Sequence, residues 1–265
     1  MADRKVLEAK NITKRFGGVL ALDNVTLELH EKEVLALVGD NGAGKSTLIK
    51  ILSGTYIADS GQILLDGQPQ HFRSPADAKR AGIETVYQDL ALVETLNVSS
   101  NVFLGREDVR RFLWGGFNVL RHRRMEEESE RILGELGICL PDIKAQVNFL
   151  SGGQRQSIAV GREASFGRKI VLLDEPTAAL GVHEAKTVLS IIKKLREHDI
   201  SAIIITHNLE HAFTVADRFF VLRLGREVGT RTKFDTHIDD IVKMITGGTF
   251  VETGAVKDCR EDTNV

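Results

Sequence analysis

The 265 residues include only two cysteines, Cys139 and Cys259, far apart in the chain. Neither has metal-ligand or redox spacing, which excludes a disulfide framework and makes a reducing compartment the simple expectation. A basic excess is also missing, since 35 Lys and Arg stand against 37 Asp and Glu, for a formal charge of -2. A nucleic-acid binder normally carries a basic surplus or stripe, so composition argues against one. No apolar run approaches the roughly 20 residues needed to cross a bilayer. The stretch from Met1 to Lys10 lacks the apolar core of a secretory signal. A role at a membrane would therefore need another chain to supply the membrane part. Internal repeats and low-complexity stretches are absent too. What is present is 42% hydrophobic residues, enough for a sizeable core at a length near the upper end for one compact domain.

The chain is organised around Gly39-Asp40-Asn41-Gly42-Ala43-Gly44-Lys45-Ser46-Thr47. This stretch fits G-x-x-x-x-G-K-[ST]. The apolar run Val34–Val38 precedes it, and the helical pattern Leu48, Ile51, Leu52 follows. Strand, glycine loop and helix are the context that a phosphate-binding loop requires. Gly39, Gly42 and Gly44 let the backbone close round a polyphosphate. Loop N–H groups, those of Asn41 and Ala43 among them, and the positive end of the helix would face the anion. Lys45 would reach the β- and γ-phosphates, Ser46 would ligate Mg²⁺, and Thr47 supplies a second hydroxyl. The loop indicates a nucleoside triphosphate without saying which NTPase.

Along the chain, Val6 to Glu33 reads as antiparallel strands, with Val25, Leu27 and Leu29 alternating against Thr26, Glu28 and His30. Phe16-Gly17-Gly18 marks a turn between strands. Spacing there supports equally a half-buried hairpin aromatic and an aromatic stacked on adenine. Asp59-Ser60-Gly61 reads as a turn, Gln62–Gly67 as a strand running into an Asp-Gly turn, and Ser74-Pro75 as a capped helix start. Ile83–Tyr87 is a short strand. From about 89 to 149 the texture changes to a mainly helical insertion, with Met125, Ser129, Ile132, Leu133 and Leu136 on one stripe. Within it, the basic stretch Arg110–Arg124 carries Phe112, Leu113, Trp114 and Phe117. It reads as a solvated loop whose aromatics tuck into the helical layer. Alternation returns after Leu150: a helix to Ser165, the apolar strand Ile170–Leu173, and a helix on Ala185, Val188, Leu189, Ile192 and Leu195. The strand Ala202–Ile205 and a strand pair within Phe219–Val228 follow. The fold class expected is α/β: a mainly parallel sheet covered on both faces, an N-terminal antiparallel β part and an inserted helical part. Residues from about 249 are polar with few apolar anchors, which reads as a loose tail.

A second cluster of chemistry sits at strand ends. Parallel strands present their C-terminal ends to ligands, so Asp174-Glu175 is the natural partner of the glycine loop. Asp174 would hold Mg²⁺, and Glu175 would orient or deprotonate an attacking water. His207 ends the next buried strand and would face the γ-phosphate or that water. Gln88 follows a strand and reads equally as a metal- or water-facing group and as an ordinary loop amide. Leu150-Ser151-Gly152-Gly153-Gln154 puts serine and glycines at a helix start, a second anion-binding terminus. It reads equally as a capped helix with a flexible entry. One nucleotide cannot easily use both termini of one chain, whereas a dimer could.

Taken in order, Gly39–Ser46, Gln88, Leu150–Gln154, Leu172–Glu175 and His207 resemble the motifs of ATP-binding-cassette ATPases: Walker A, Q-loop, signature, Walker B and switch histidine. The resemblance spans about residues 5 to 246. It implies a P-loop NTPase core over about 5–88 and 163–246, with a helical part over about 89–162. It also implies that Phe16 stacks on adenine, that Gln88 senses Mg²⁺ and a transmembrane partner, and that Glu175 is the general base. His207 would contact γ-phosphate, and the Ser151–Gln154 turn, through Ser151 and Gly153 above all, would bind the opposite chain's γ-phosphate. Ser74–Ala78, Ala81–Ile83, Tyr87–Leu90 and Asn101–Glu107 are similar to the carbohydrate-uptake branch, of the ribose, xylose and fructose importer type. The run Ala178–Val182 departs from the family loop, carrying Gly181 where aspartate is usual. This bears on how two sites would communicate more than on hydrolysis.

The resemblance therefore implies an ATP- and Mg²⁺-dependent sugar-import ATPase at the cytoplasmic face of the cell membrane. Its partners would be a second copy of itself, a permease, and a sugar-binding protein acting through the permease, with no nucleic acid. An export cassette and a soluble ATP switch acting without a permease are the rival readings. A regulatory module that does not hydrolyse ATP is disfavoured by intact Lys45, Asp174, Glu175 and His207.

Overall fold

The computed structural model describes residues 4–111, 118–166 and 168–248. The chain begins with the hairpin β1 (Lys5–Phe16) and β2 (Val19–His30), then β3 (Val34–Val38) and α1 (Lys45–Leu52). A second hairpin, β4 (Ser60–Leu65) and β5 (Gln68–Gln70), leads through α2 (Pro75–Arg80) to β6 (Ile83–Val86). Next come α3 (Val98–Val102), the short strands β7 (Val109–Arg111) and β8 (Asn118–Leu120), then α4 (His122–Glu135) and α5 (Gly152–Ala164). After them the chain alternates β9 (Ile170–Asp174), α6 (Val182–Leu195), β10 (Ser201–Ile205) and α7 (Leu209–Val215). The pair β11 (Arg218–Arg223) and β12 (Arg226–Thr232) precedes α8 (Ile238–Thr246).

The central sheet has the order β12-β11-β3-β10-β9-β6, parallel throughout except for the antiparallel edge strand β12. Its inner strands β3, β9 and β10 are nearly continuous apolar runs because both faces are covered. Side chains alternate across a strand, so Val34, Ala36 and Val38 of β3 join one core while Leu35 and Leu37 join the other, all fully buried. Burying each of these valines and leucines contributes about 1.5–3 kcal/mol. The first core is shared with helices α3 to α8. The second lies under α1 and the separate antiparallel sheet β2-β1-β4-β5. One cover is thus helical, and the other is largely a β layer.

Several local expectations need correction. Ser60 and Gly61 lie inside β4, not in a turn. Gly61 has φ 97, and a Cβ there would sit 2.5 Å from the Lys10 and Asn11 carbonyl oxygens, beside a register shift in the β1–β4 ladder. The glycine therefore serves a bulge. His30 is buried despite its polar place in the alternation, with Nδ1 3.1 Å from the Glu33 carboxylate. Ser74 stands at the cap position of α2, yet its hydroxyl donates to Asp77 at 3.0 Å instead of accepting from the helix backbone. The insertion is mainly helical but also contains the β7–β8 pair, so the basic stretch is not simply a loop. Phe112, Leu113, Trp114, Phe117 and the tail lie outside the described residues.

The helical insertion is seated by specific bonds. Buried Asn101 accepts from Val93 N at 2.7 Å and donates to the Val93, Leu96 and Asn97 carbonyls, organising the loop after Gln88. Arg162, near the end of α5, donates to the Ala91 and Leu90 carbonyls at 2.9 and 3.1 Å. Arg106 meets Glu84 of β6 in a buried ion pair, with Arg168 3.0 Å from the same carboxylate. Met125, Ser129, Leu133 and Leu136 are all buried, as the stripe required.

Candidate functional site

Neighbouring parallel strands β3, β10, β9 and β6 deliver the glycine loop, Thr206-His207, Asp174-Glu175 and Gln88 to one edge of the sheet. Residues separated by well over a hundred positions meet there because parallel strands all point the same way. A cavity of about 510 Å³ opens at this edge, lined by Asn41, Gly42, Gly44, Lys45, Ser46, Thr47, Gln88, Asp174 and Glu175.

The loop glycines do different jobs. Gly42 has φ 80 and open space around a hypothetical Cβ, so it serves the backbone turn. Gly44 has φ 102, and a Cβ would lie 2.7 Å from the Ala21 carbonyl oxygen and 2.8 Å from Leu22 Cδ2. Gly39 is barred from a Cβ by the Leu222 carbonyl and by Ala43. Two of the three glycines are thus demanded by the packing of the loop on β2 and β11, not by approach to a ligand alone. Buried Lys45 donates from Nζ to the Gly39 and Asp40 carbonyls at 2.7 and 2.8 Å, spanning the loop. Burial pulls its ammonium below the usual lysine range, against the attraction of Glu175, Asp40 and Asp174.

Asp174 is pushed up from the usual carboxylate range, first by desolvation and then by the Glu175 charge, with Lys50 and Lys45 opposing. A carboxylate in that state favours a cation beside it. Ser46, Gln88 and Asp174 offer oxygen donors to the same cavity. Among the described residues no cluster of three or more His, Cys, Asp or Glu could hold a metal by itself. Mg²⁺ is usually held by one or two carboxylates together with phosphate and water, and this donor set supplies one carboxylate and two neutral oxygens. Glu175 sits in left-handed backbone at φ 52, its N–H donating to the Ile205 carbonyl at 2.9 Å. His207 Nδ1 lies 2.9 Å from Glu175 Oε2, the histidine largely exposed and the carboxylate largely covered.

Several expected groups do not line this cavity: His207 and Gly39 lie along a neighbouring one of about 290 Å³, with Asn41 and Thr206. Phe16 is 42% exposed and packs edge-on against Tyr56 at 5.3 Å between ring centroids, outside the lining set. Ser151, Gly153 and Gln154 lie instead along a separate cavity of about 290 Å³ with Glu184 and Ser157. Ser151 caps α5 by accepting from Gln154 N at 3.3 Å, while Ser151 N donates to Gln154 Oε1 at 2.9 Å. Gly152 is the first residue of that helix, and a Cβ at Gly153 would lie 2.7 Å from Glu184 Cβ on α6.

The sequence reading missed Val19, Leu20, Ala21, Leu224 and Gly225, which also line the main cavity. Gly225 N donates to the Ala43 carbonyl at 3.0 Å, and Asp23 N to the Gly225 carbonyl at 2.8 Å, so the β11–β12 turn braces the loop. The one hint was an apolar residue in a turn: Leu224 is 79% exposed at φ 48.

Strand-end acids, phosphate loop and histidine at one sheet edge define a nucleotide-hydrolysing P-loop protein. The family model described as ABC transporter matches residues 22–178. A fructose import ATP-binding protein of Rhizobium meliloti is 46% identical over 93% of this chain and 96% of its own. A xylose/arabinose import ATP-binding protein of Sulfolobus acidocaldarius is 45% identical over 91% and 94%. A ribose import ATP-binding protein of Rubrobacter xylanophilus is 42% identical over 94% of this chain but only 48% of its own length. A solved ATP-binding cassette of an ABC transporter, in its ADP conformation, superposes with a TM-score of 0.75 at 24% identity, over 91% of this chain and 95% of that one. The chain belongs to the ABC transporter family and is one of its ATP-hydrolysing ATP-binding subunits.

Proposed function

We propose that this chain powers a sugar importer from the cytoplasmic face of the membrane, where it works as a pair and drives a separate permease. The carrying observation is identity of 46% and 45% to fructose and xylose/arabinose import ATP-binding proteins over nearly the whole of each chain. No helix among the described residues is long and apolar enough to cross a membrane, in keeping with a separate permease. A sugar-binding protein would act through that permease.

Each part of the site has a task. The 39–47 loop holds the phosphates of ATP, with Lys45 released from its carbonyl partners to meet the β- and γ-phosphates. Ser46, Asp174 and Gln88 would hold Mg²⁺, whose role is to neutralise charge developing on the phosphates. Glu175 orients and deprotonates the attacking water, and His207 steadies Glu175 and meets the γ-phosphate. Phe16, beside the cavity, swings from Tyr56 to stack on adenine. Ser151 and Gly153, with Gly152 and Gln154 in the same turn, reach the γ-phosphate held by the second copy. The 89–162 layer, gripping the permease near residues 88–107, links closure of the pair to a change of access across the membrane.

Affinity capture of the Glu175→Gln chain from solubilised membranes with Mg-ATP tests this. The expected companion is a multi-span permease in equal subunit numbers, with a sugar-binding protein associated with it. Recovery of ribosomes, DNA or nothing under several detergents would overturn the transport reading.

A further inference from the structure

The paired-cassette reading requires the Ser151–Gly153 turn of one chain to accept phosphate from the other. In the single chain those donors are already engaged by an anion. Gly153 N–H donates to Glu184 Oε1 at 3.3 Å, and Gly181 N–H donates to Glu184 Oε2 at 3.3 Å. The neighbouring Ser151 side chain first, then the Gly153 and Gly181 N–H groups, hold Glu184 below the usual carboxylate range, so it is ionised at neutral pH. An acid in the first turn of α6 ordinarily serves its own helix. Here the carboxylate does that through Gly181, which has no side chain to offer, and it also crosses to the N-terminus of α5. The close seating of Glu184 Cβ and Cγ on Gly153 keeps it there.

We propose that Glu184 is an internal anion that latches the signature turn in the unpaired chain and is displaced by the partner's γ-phosphate on closure, a role that rests on the paired-cassette reading. Phosphate and carboxylate compete for the same Gly153 N–H, and like charges at that range repel. Displacement of Glu184 also frees the Gly181 N–H. Gly181 ends the segment that begins at Ala178, whose N–H donates to the Glu175 carbonyl at 3.0 Å. Loading of the signature turn is thereby linked, through a few residues, to the chain's own catalytic carboxylate. The glycine at 181 leaves this link to Glu184. The latch raises the ATP concentration at which two chains close.

The sign of one shift separates the latch from a merely structural support. In the Glu175→Gln background, the dimer fraction is followed by analytical ultracentrifugation as Mg-ATP is raised. Adding Glu184→Gln removes the charge while retaining the contact with Gly153. It is expected to lower the ATP midpoint for pairing at least ~3-fold, near the low end for the net worth of one hydrogen bond. Glu184→Ala, also uncharged, shifts it the same way, which covers the case of a poorly folded glutamine variant. A residue that only supports the turn would raise the midpoint when replaced. An unchanged or raised midpoint in both variants overturns the latch while leaving the pairing intact. Absence of pairing by the Glu175→Gln parent at every ATP concentration overturns the paired-cassette reading, and the latch with it.

Discussion

The Gly39–Thr47 end and the Ser151–Gln154 end of this molecule both present a helix N-terminus to solvent, but they are built differently. The first grows from fully buried strands, carries a buried lysine and is braced by β2 and the β11–β12 turn. The second is set between α5 and α6, is held by one carboxylate and one capping serine, and has exposed Phe149 and Val182 beside it. The contrast teaches that one end holds its groups within a chain, whereas the other, on the paired reading proposed above, waits for a second copy. Rigid strand ends suit a site that must order catalytic groups to within fractions of an ångström. A helix pair joined by a replaceable anion suits a surface that must bind and let go.

The largest effect should come from breaking the self-contained end. Lys45→Ala and Glu175→Gln are each expected to cut ATP turnover at least ~100-fold, the scale for lost electrostatic or acid–base groups. Phosphate release under saturating Mg-ATP checks this, and near-normal hydrolysis by Glu175→Gln would remove it as the base. The next test joins the two ends. Ser151→Ala should lower turnover to the level of Lys45→Ala while leaving the chain's own phosphate loop intact. Mixing inactive Lys45→Ala and Ser151→Ala chains should restore about a quarter of wild-type turnover, because half the pairs then hold one intact composite site of two. Failure of the mixture to recover would leave each chain acting alone.

Smaller effects sharpen the difference in rigidity. Gly44→Ala combines a left-handed φ with backbone and side-chain collisions at 2.7 and 2.8 Å. It should lower the melting temperature by roughly 5–10 °C, about 2–3 kcal/mol for a domain of this size. Gly42→Ala, with φ 80 but open space, should cost less. The smallest effect is a gain. The Asp174 carboxyl is raised above its unfolded value, so the folded chain holds that proton more tightly and loses stability as pH rises through the raised value. At neutral pH the ionised group is therefore a burden in the nucleotide-free chain. Asp174→Asn should melt about 2 °C higher at neutral pH, with the difference fading toward acid, while hydrolysis is lost. Equal melting of the two chains at neutral pH would contradict a desolvated charge at this position.

Much of this was legible from residue order. The strand–loop–helix around Lys45 and the apolar strand ending at Asp174 are local patterns, and the structure has them at those positions. The Ser151 cap is local too, since its partners are within three residues. Glycine was less legible because its uses look alike in sequence. Gly61 marks a bulge defined by β1, and Gly44 is fixed by β2, strands that a local window does not contain. Leu224 and Gly225 escaped for the same reason, since nothing in their spacing ties them to Ala43.

By itself, then, the sequence determined the elements whose causes are short-range: period, caps, and the glycine loop with its lysine. Which strands become neighbours was decided only by the tertiary structure, because burying both faces of β3 and β10 brings Asp174, Glu175, Gln88 and His207 to one edge. The engagement of the signature turn by Glu184 was likewise a tertiary decision. Gly153 and Glu184 are 31 residues apart, and only the packing of α5 on α6 sets that carboxylate on that N–H.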